Sequence, residues 1–89
     1  MSDKINLKIK AIAASIRNKR EQRNYTQEYL AYKLSISQNA YSKIELGYTK
    51  ITVERLLQIA EVLDFKASEL IDVEQDDISG PVLLKTGTD

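Results

Sequence analysis

Apolar residues recur at helical spacing along most of the chain. In the first such stretch Ile9, Ile12, Ala13 and Ile16 occupy positions i, i+3, i+4 and i+7. This spacing predicts an amphipathic helix from about residue 7 to Arg23. Its apolar stripe is expected to face the core.

Two short helices are predicted next, and each begins at a hydroxyl residue that can act as an N-cap. Thr26 caps a helix in which Tyr29, Leu30 and Leu34 form the inward stripe. After a two-residue break, Ser37 caps the following helix. The pattern therefore predicts a pair of helices joined by a short turn.

The helix that begins at Ser37 has an inward set made of Ala40, Tyr41 and Ile44. Gly47 follows it and is suited to the left-handed conformation of a residue just beyond a helix. The inward set leaves the polar residues of the same helix on the outside. The third helix is therefore expected to expose a polar face.

A fourth and a fifth helix complete the predicted fold. Thr52 is the expected N-cap of the fourth, which ends at Asp64, and the fifth is predicted over Ala67 to Ile71 with Leu70 and Ile71 in the core. The inward positions of the fourth helix are predicted to be Val53, Leu56, Leu57, Ala60 and Leu63. The fold class is all-α, with an N-terminal extension over 1–6, a domain over 7–71 and an acidic C-terminal tail over 72–89.

Composition narrows the range of functions. The 89 residues suffice for one domain, and they contain neither cysteine nor histidine. Nucleophilic, general acid-base and transition-metal sites mostly use those two residue types, so we expect no enzyme, no catalytic residue, no metal and no cofactor. Without a long apolar run or a leader-like N-terminus, a cytoplasmic protein that does not enter a membrane is expected.

The net charge of zero conceals an asymmetry between the two halves of the chain. Residues 1–50 contain ten Lys and Arg against four Asp and Glu, whereas residues 51–89 contain three against nine. A basic half favours a polyanionic partner such as DNA. The alternative is a solvated surface with an uneven charge distribution.

The polar residues of the third helix are chemically suited to DNA. Glutamine and asparagine amides can pair with the edge of adenine, and lysine can donate to guanine or to a phosphate. The alternative is that any short surface helix is polar on its outer side. The candidates are Ser37, Gln38, Asn39, Ser42 and Lys43.

A resemblance to a known family favours the DNA-binding alternative. Between Ile16 and Leu70 the chain resembles the phage-repressor family of five-helix DNA-binding domains, the Cro and cI or XRE type, which implies a compact lambda-repressor-like fold. The residues that carry this resemblance are Arg20, Thr26, Gln27, Leu30, Ala31, Ile36, Ser37, Ser42, Ile44, Glu45, Gly47 and the run LLQIAEVL from Leu56.

The resemblance assigns nine residues to contacts with double-stranded DNA. It implies that Thr26 and Gln27 contact a phosphate and brace the recognition helix, whereas Gln38, Asn39 and Lys43 take the main base-contacting positions. The remaining implied roles are a helix cap at Ser37, a base or phosphate contact at Ser42, and contacts to the DNA backbone from Thr49 and Lys50.

The same resemblance implies a structural role for Arg20 and Glu45, which match a partly buried salt bridge between the first and third helices. The tyrosines suggest stacking on single-stranded bases as an alternative. However, the predicted helices place Tyr29 and Tyr41 toward the core. Tyr32 and Tyr48 stay open to such a role.

These patterns predict a sequence-specific transcriptional regulator, and the resemblance implies a repressor. Because one recognition helix contacts few base pairs, a homodimer on a palindromic operator is expected. The dimer surface is sought in the fourth and fifth helices or in strand pairing by residues 5–9 and 81–85. Two alternatives stay open: an antitoxin whose acidic tail binds a toxin, and a protein-interaction module without DNA binding.

Overall fold

Five helices and no strand make up the part of the chain that the structure, a computed structural model, describes: residues 3–73. The all-α prediction is confirmed. The helices are α1 (Asp3–Gln22), α2 (Gln27–Leu34), α3 (Gln38–Glu45), α4 (Val53–Leu63) and α5 (Ala67–Ile71).

The first helix begins at Asp3, four residues earlier than its apolar pattern predicted. Residues 5–9 are therefore helical, and the strand pairing considered for them is wrong; the matching segment 81–85 lies outside the described residues. No glycine or proline interrupts this stretch, and Asp3 stabilises the first turn through the helix dipole. Neither α1 nor any other helix within residues 3–73 has the length and apolarity to span a membrane.

The predicted N-caps are confirmed at three helices. Each cap residue has an extended backbone, and its side-chain oxygen accepts a hydrogen bond from the backbone N–H three residues later. Such a bond satisfies one of the unpaired donors of the first turn. The pairs, each at 3.0 Å, are Thr26 with Tyr29, Ser37 with Ala40 and Thr52 with Arg55.

Sharp reversals follow the first four helices because one residue after each adopts a left-handed backbone. These residues are Asn24, Ser35, Gly47 and Asp64, with φ between 59° and 78°. In each case the next backbone N–H reaches back to a carbonyl of the last helical turn. The reversals keep the connections short, so α2 and α3 pack directly against each other.

The core takes side chains from all five helices. Its fully buried large residues are Ile16, Leu30, Tyr41, Ile59, Leu63 and Leu70. Because α3 contributes only two apolar residues to this core, Tyr41 and Ile44, its position depends on both of them.

The inward face of α4 differs from the prediction. Val53 and Leu57 are 74% and 53% exposed, while Ile59, which was not assigned to the stripe, is fully buried. The buried set follows the helical template from Leu56 onward, and the helix start projects beyond the core. At the end of α5, Leu70 is buried as predicted but Ile71 is 41% exposed.

Tyr29 was predicted to face the core, but the structure places it elsewhere. Its side chain is 38% exposed and packs on the ring of Tyr25, with 4.7 Å between the ring centroids. The stripe of α2 is Leu30, Ala31 and Leu34 instead. The apolar positions 29, 30, 31 and 34 fit two rotations of the helix that differ by one residue, and the small Ala31 takes the place assigned to the tyrosine.

Arg23 joins the end of α1 to the corner between α4 and α5. Its guanidinium donates to the carbonyls of Leu63 (2.7 Å) and Asp64 (2.8 Å), and it lies 4.4 Å from the centroid of the Phe65 ring. A cation at these carbonyls satisfies acceptors that the end of a helix leaves unpaired. This contact fixes α4 relative to α1.

Candidate nucleic-acid interface

The pair α2 and α3 is joined by a turn of three residues, 35–37. Ser35 reverses the chain through its left-handed backbone, Ile36 packs partly buried against the core, and Ser37 caps α3. Two capped helices connected in this way form a helix-turn-helix. The short turn fixes the direction of α3 relative to α2.

The outer face of α3 is polar, as predicted. Gln38, Asn39 and Lys43 are exposed, while Tyr41 and Ile44 are buried. Ala40, the third residue predicted to face inward, and Ser42, a candidate for a DNA contact, are half-buried. The helix therefore separates side chains that pack from side chains that are accessible to a partner.

Five of the predicted DNA-contacting residues lie along one groove between α3 and the start of α4, with a volume of about 380 Å³. We call it the α3–α4 groove. The first helical positions of α3 and the connection after Gly47 converge here although they are distant in sequence. The five residues are Ser37, Asn39, Lys43, Thr49 and Lys50. Gln38, although exposed on α3, is not part of this groove lining.

Arg55, which was not predicted as a site residue, also lines the α3–α4 groove. Its guanidinium donates to the Leu34 carbonyl (3.4 Å) and to the Gln58 side chain (3.0 Å). The sequence predicts an N-cap, an apolar stripe and a candidate dimer surface on α4, but no DNA-contacting residue. The signal in the sequence was the position of Arg55, three residues after the N-cap Thr52 and therefore at the end of α4 that follows the loop with Lys50.

Behind α3, the carboxylate of Glu45 receives four hydrogen bonds. Arg20 donates from Nε to Oε2 (2.7 Å) and from Nη2 to Oε1 (3.1 Å). The Tyr41 hydroxyl donates to Oε2 (2.6 Å), and the Gln27 amide donates to Oε1 (3.0 Å). One buried carboxylate thus joins α1, α2 and α3. Among the described residues, no buried side-chain nitrogen or oxygen is left without a partner.

Tyr41 was not predicted to belong to this network. Its spacing of four from Glu45 on one helix was the available signal, since residues four apart face each other on a helix. The side chain had been interpreted as core packing alone, which its complete burial supports. It is both a core residue and a hydrogen-bond donor.

Gln27 and Thr26 already have partners within the protein. The Gln27 amide bonds Glu45, and the Thr26 hydroxyl accepts from the Tyr29 backbone N–H. Gln27 therefore links the start of α2 to the end of α3. The phosphate contacts implied for both residues stay predictions.

The network shifts the pKa values of its members. Burial would raise the pKa of Glu45, but hydrogen bonds from Arg20, Tyr41 and Gln27 outweigh burial and hold it below its usual range. Burial, together with the bond to Glu45, raises the pKa of Tyr41 far above its usual range. The bond to Glu45 also raises the pKa of Arg20. The ionised carboxylate is thus the stable form.

Acid is expected to destabilise the domain partly through Glu45. The pKa of Glu45 is lower in the folded chain than its unfolded value of 4.5. The stability that the ionised carboxylate contributes is therefore complete above pH 4.5 and is lost as the pH falls through the folded pKa. Urea unfolding followed by circular dichroism between pH 7 and pH 3 should show a shallower loss of stability for Glu45→Gln than for the wild type. Glu21→Gln, in an exposed ion pair with Arg17, should keep the wild-type slope; equal slopes for all three proteins would contradict this role.

A compact all-helical domain with two capped helices, a three-residue turn and a polar outer face on the second helix is a helix-turn-helix domain. The Helix-turn-helix family HTH_3 matches residues 16–70, more than half of the chain. The chain belongs to this family, the XRE-type helix-turn-helix domains. It is a family of DNA-binding regulator domains and not an enzyme class.

Two known proteins are similar to this chain. The HTH-type transcriptional regulator AnsR of Bacillus subtilis (strain 168) is 28% identical over 69 residues, which cover 78% of this chain and 60% of AnsR. The chain therefore matches somewhat less than two thirds of that relative's length. The crystal structure of the clp gene regulator ClgR from C. glutamicum superposes with a TM-score of 0.71 at 21% identity, over 85% of this chain and 96% of that one. The second similarity concerns the fold.

Proposed function

We propose that the protein binds double-stranded DNA sequence-specifically, with α3 in the major groove, and regulates transcription as a repressor. The observation that carries the proposal is the α3–α4 groove, where Asn39 and Lys43 of α3 lie beside Thr49 and Lys50 of the following loop. A helix that contacts bases next to a loop that contacts phosphates is the arrangement such binding needs.

The base contacts are assigned to Gln38, Asn39 and Lys43. All three side chains are exposed, and Tyr41 and Ile44 hold the opposite face of α3 in the core. The two amides are suited to adenine, and the lysine to guanine or a phosphate. Because the helix backbone is fixed from behind, only the side chains have to be ordered when DNA binds.

The DNA backbone contacts are assigned to two regions that flank α3. Thr26 and Gln27 lie at the start of α2, where free backbone N–H groups and the helix dipole favour a phosphate. Thr49 and Lys50 lie on the loop after α3, and the exposed Lys50 supplies a positive charge. Contacts on both sides of α3 would set its register on the duplex.

A homodimer on a palindromic operator completes the proposal. One α3 contacts only a few base pairs, whereas two copies related by a two-fold axis contact half-sites about 34 Å apart. Bound across a promoter, such a dimer would exclude other proteins from the DNA. The names of AnsR and ClgR, both described as regulators, support a role in transcription.

Selection of bound duplexes from a random pool tests the proposal. We expect an enriched motif with two inverted half-sites whose centres lie about 10 base pairs apart or a multiple of that distance. A single half-site would exclude the symmetric dimer, and no enrichment over the starting pool would exclude sequence-specific binding.

Replacing Lys50 with alanine is expected to weaken binding to selected and random duplexes by the same factor. The lysine is assigned to a phosphate, which is present at every sequence, so its loss should also reduce the slope of log K against log salt by about 1. Fluorescence anisotropy at four salt concentrations measures both effects. Lys66→Ala, at the start of α5 and away from the α3–α4 groove, is the matched control and should leave slope and affinity unchanged. A larger loss on the selected site than on random DNA would contradict the phosphate assignment.

A further inference from the structure

A second groove runs between the first half of α1 and the start of α4, with a volume of about 470 Å³. We call it the α1–α4 groove. Its apolar lining is formed by Ile9, Ile12, Ile51, Val53 and Leu56. Among these, Ile9 is 41% exposed and Val53 74% exposed, and large aliphatic side chains grouped in a concave site favour an apolar occupant.

The rim of the α1–α4 groove is basic. Lys50 is part of its lining, and the Cγ of Lys10 lies 3.5 Å from the position that a β-carbon on Gly47 would occupy, beside the same loop. An occupant that fits must therefore combine apolar side chains with negative charge. Thr49, Lys50 and Thr52 line the α3–α4 groove as well, so the two grooves meet at the loop that joins α3 to α4.

Residues 74–84 of the same chain have this combination. The run EQDDISGPVLL contains three acidic residues, no basic residue and an apolar stretch at Val82, Leu83 and Leu84. The residue before this segment is held against α1, one wall of the groove, because the Val73 carbonyl accepts a hydrogen bond from the Nζ of Lys8. Other apolar-acidic peptides would fit the same chemistry, but only this one is tethered at the site.

The distance between the tether and the groove is short compared with the chain that follows Val73. Lys8 and Ile12 are one turn apart on α1, which corresponds to about 6 Å along the helix axis. Val82 follows Val73 by nine residues, and nine extended residues span about 30 Å. The chain after Val73 is therefore long enough to extend from Lys8 to Ile12, which lines the groove.

We propose that residues 78–84 dock in the α1–α4 groove of their own chain, with the apolar side chains of Val82 to Leu84 against Ile9 and Val53. Glu74, Asp76 and Asp77 are drawn to the basic rim. Because Lys50 belongs to that rim, the docked segment competes with DNA phosphates for it. This last consequence rests on the proposed function, whereas the docking does not.

The absence of cysteine from the sequence allows a direct test of docking. A nitroxide on Thr86→Cys in the full chain should broaden the amide NMR signals of residues 9–12 and 51–56. The change Leu83→Asp with Leu84→Asp, made on the same labelled chain, should remove the broadening. Unchanged signals in the nitroxide-labelled Thr86→Cys chain would overturn the proposal. So would broadening that appears when isotope-labelled chains are mixed with nitroxide-labelled, unenriched chains, since a second copy would then supply the segment.

The competition with DNA is tested separately with random duplexes. If roughly nine tenths of the molecules are docked and docking excludes DNA, releasing the segment increases the affinity about tenfold. The variant with Leu83→Asp and Leu84→Asp should therefore bind random DNA more tightly than the wild type, although it carries two additional negative charges. Equal or weaker binding would overturn the competition. Failure of every variant to bind DNA would count against the proposed function, while the NMR result would still decide the docking.

Discussion

Arg20→Met is expected to lower the free energy of unfolding by about 3 to 5 kcal/mol, because removing one partner of a buried ion pair leaves the other charge uncompensated. Glu45 is buried, and after the change its carboxylate would retain only Tyr41 and Gln27 as donors. The guanidinium also donates to the Tyr25 carbonyl (2.8 Å), which would lose that donor. Urea unfolding at pH 7, followed by circular dichroism, measures the difference.

Arg17→Met is the matched control on the same helix. Arg17 pairs with Glu21 at 3.2 Å, but both side chains are more than half exposed. An exposed pair at spacing i, i+4 contributes about 0.3 to 0.5 kcal/mol, so this variant should stay close to the wild type. Equal losses for the two arginine variants would show that burial of the Arg20–Glu45 pair has no special effect on stability.

Tyr41→Ala is expected to lower the free energy of unfolding by about 3 to 5 kcal/mol, because it empties a fully buried aromatic site. Tyr41→Phe keeps the ring and removes only the hydroxyl that donates to Glu45, so it should cost about 1 to 3 kcal/mol. The two variants separate packing from hydrogen bonding. Thermal and urea unfolding provide the measurements.

Tyr32→Ala controls for the loss of a tyrosine ring from a helix. Its side chain is 78% exposed on α2, and the free energy of unfolding should change by less than about 0.5 kcal/mol. If Tyr41→Phe were as stable as the wild type, the hydroxyl would contribute nothing to the position of α3. If Tyr41→Ala were equally harmless, α3 would not depend on its core contact.

Apart from the start of α1, the ends of the helices could be predicted from the sequence because short-range chemistry determines them. Thr26, Ser37 and Thr52 each bond a backbone N–H only three residues away, and Gly47 and Asp64 reverse the chain next to the helix that they end. Such interactions depend on residues that are adjacent in the printed sequence. The neighbouring residues in the sequence were therefore sufficient to predict these helix ends.

The rotation of the helices about their axes was less predictable. Val53 and Leu57 are apolar at the correct spacing, yet the core does not extend to them, and Ile59 takes the buried position between Leu56 and Ala60. A hydrophobic pattern shows that a helix has an apolar face but not which neighbours cover each part of it. The exposed Val53 side chain lines the α1–α4 groove instead.

The residues of the candidate interface were only partly predictable from the sequence. The polar face of α3 followed from the sequence, because Tyr41 and Ile44 mark its inner side. The position of Arg55 in the α3–α4 groove and the four bonds to Glu45 did not, since they depend on how three or more helices meet. Local pattern identified candidates, and packing decided which of them lie together.

The proposed function assigns different tasks to the two sides of α3. The inner side is held by the core and by the Glu45 network, so substitutions there should change the stability of the domain. The outer side has no such role, so substitutions there should change DNA binding without changing the fold. Circular dichroism of the Gln38 and Asn39 variants should therefore match that of the wild type.

The most direct test is the affinity of the double variant Gln38→Ala with Asn39→Ala for the selected site and for a shuffled duplex of the same composition. Each two-pronged base contact contributes about 1 to 3 kcal/mol of discrimination, so the ratio of the two affinities should fall about thirtyfold or more. The double variant should keep its affinity for the shuffled duplex. An unchanged ratio, or equal losses on both duplexes, would contradict base recognition by the exposed face of α3.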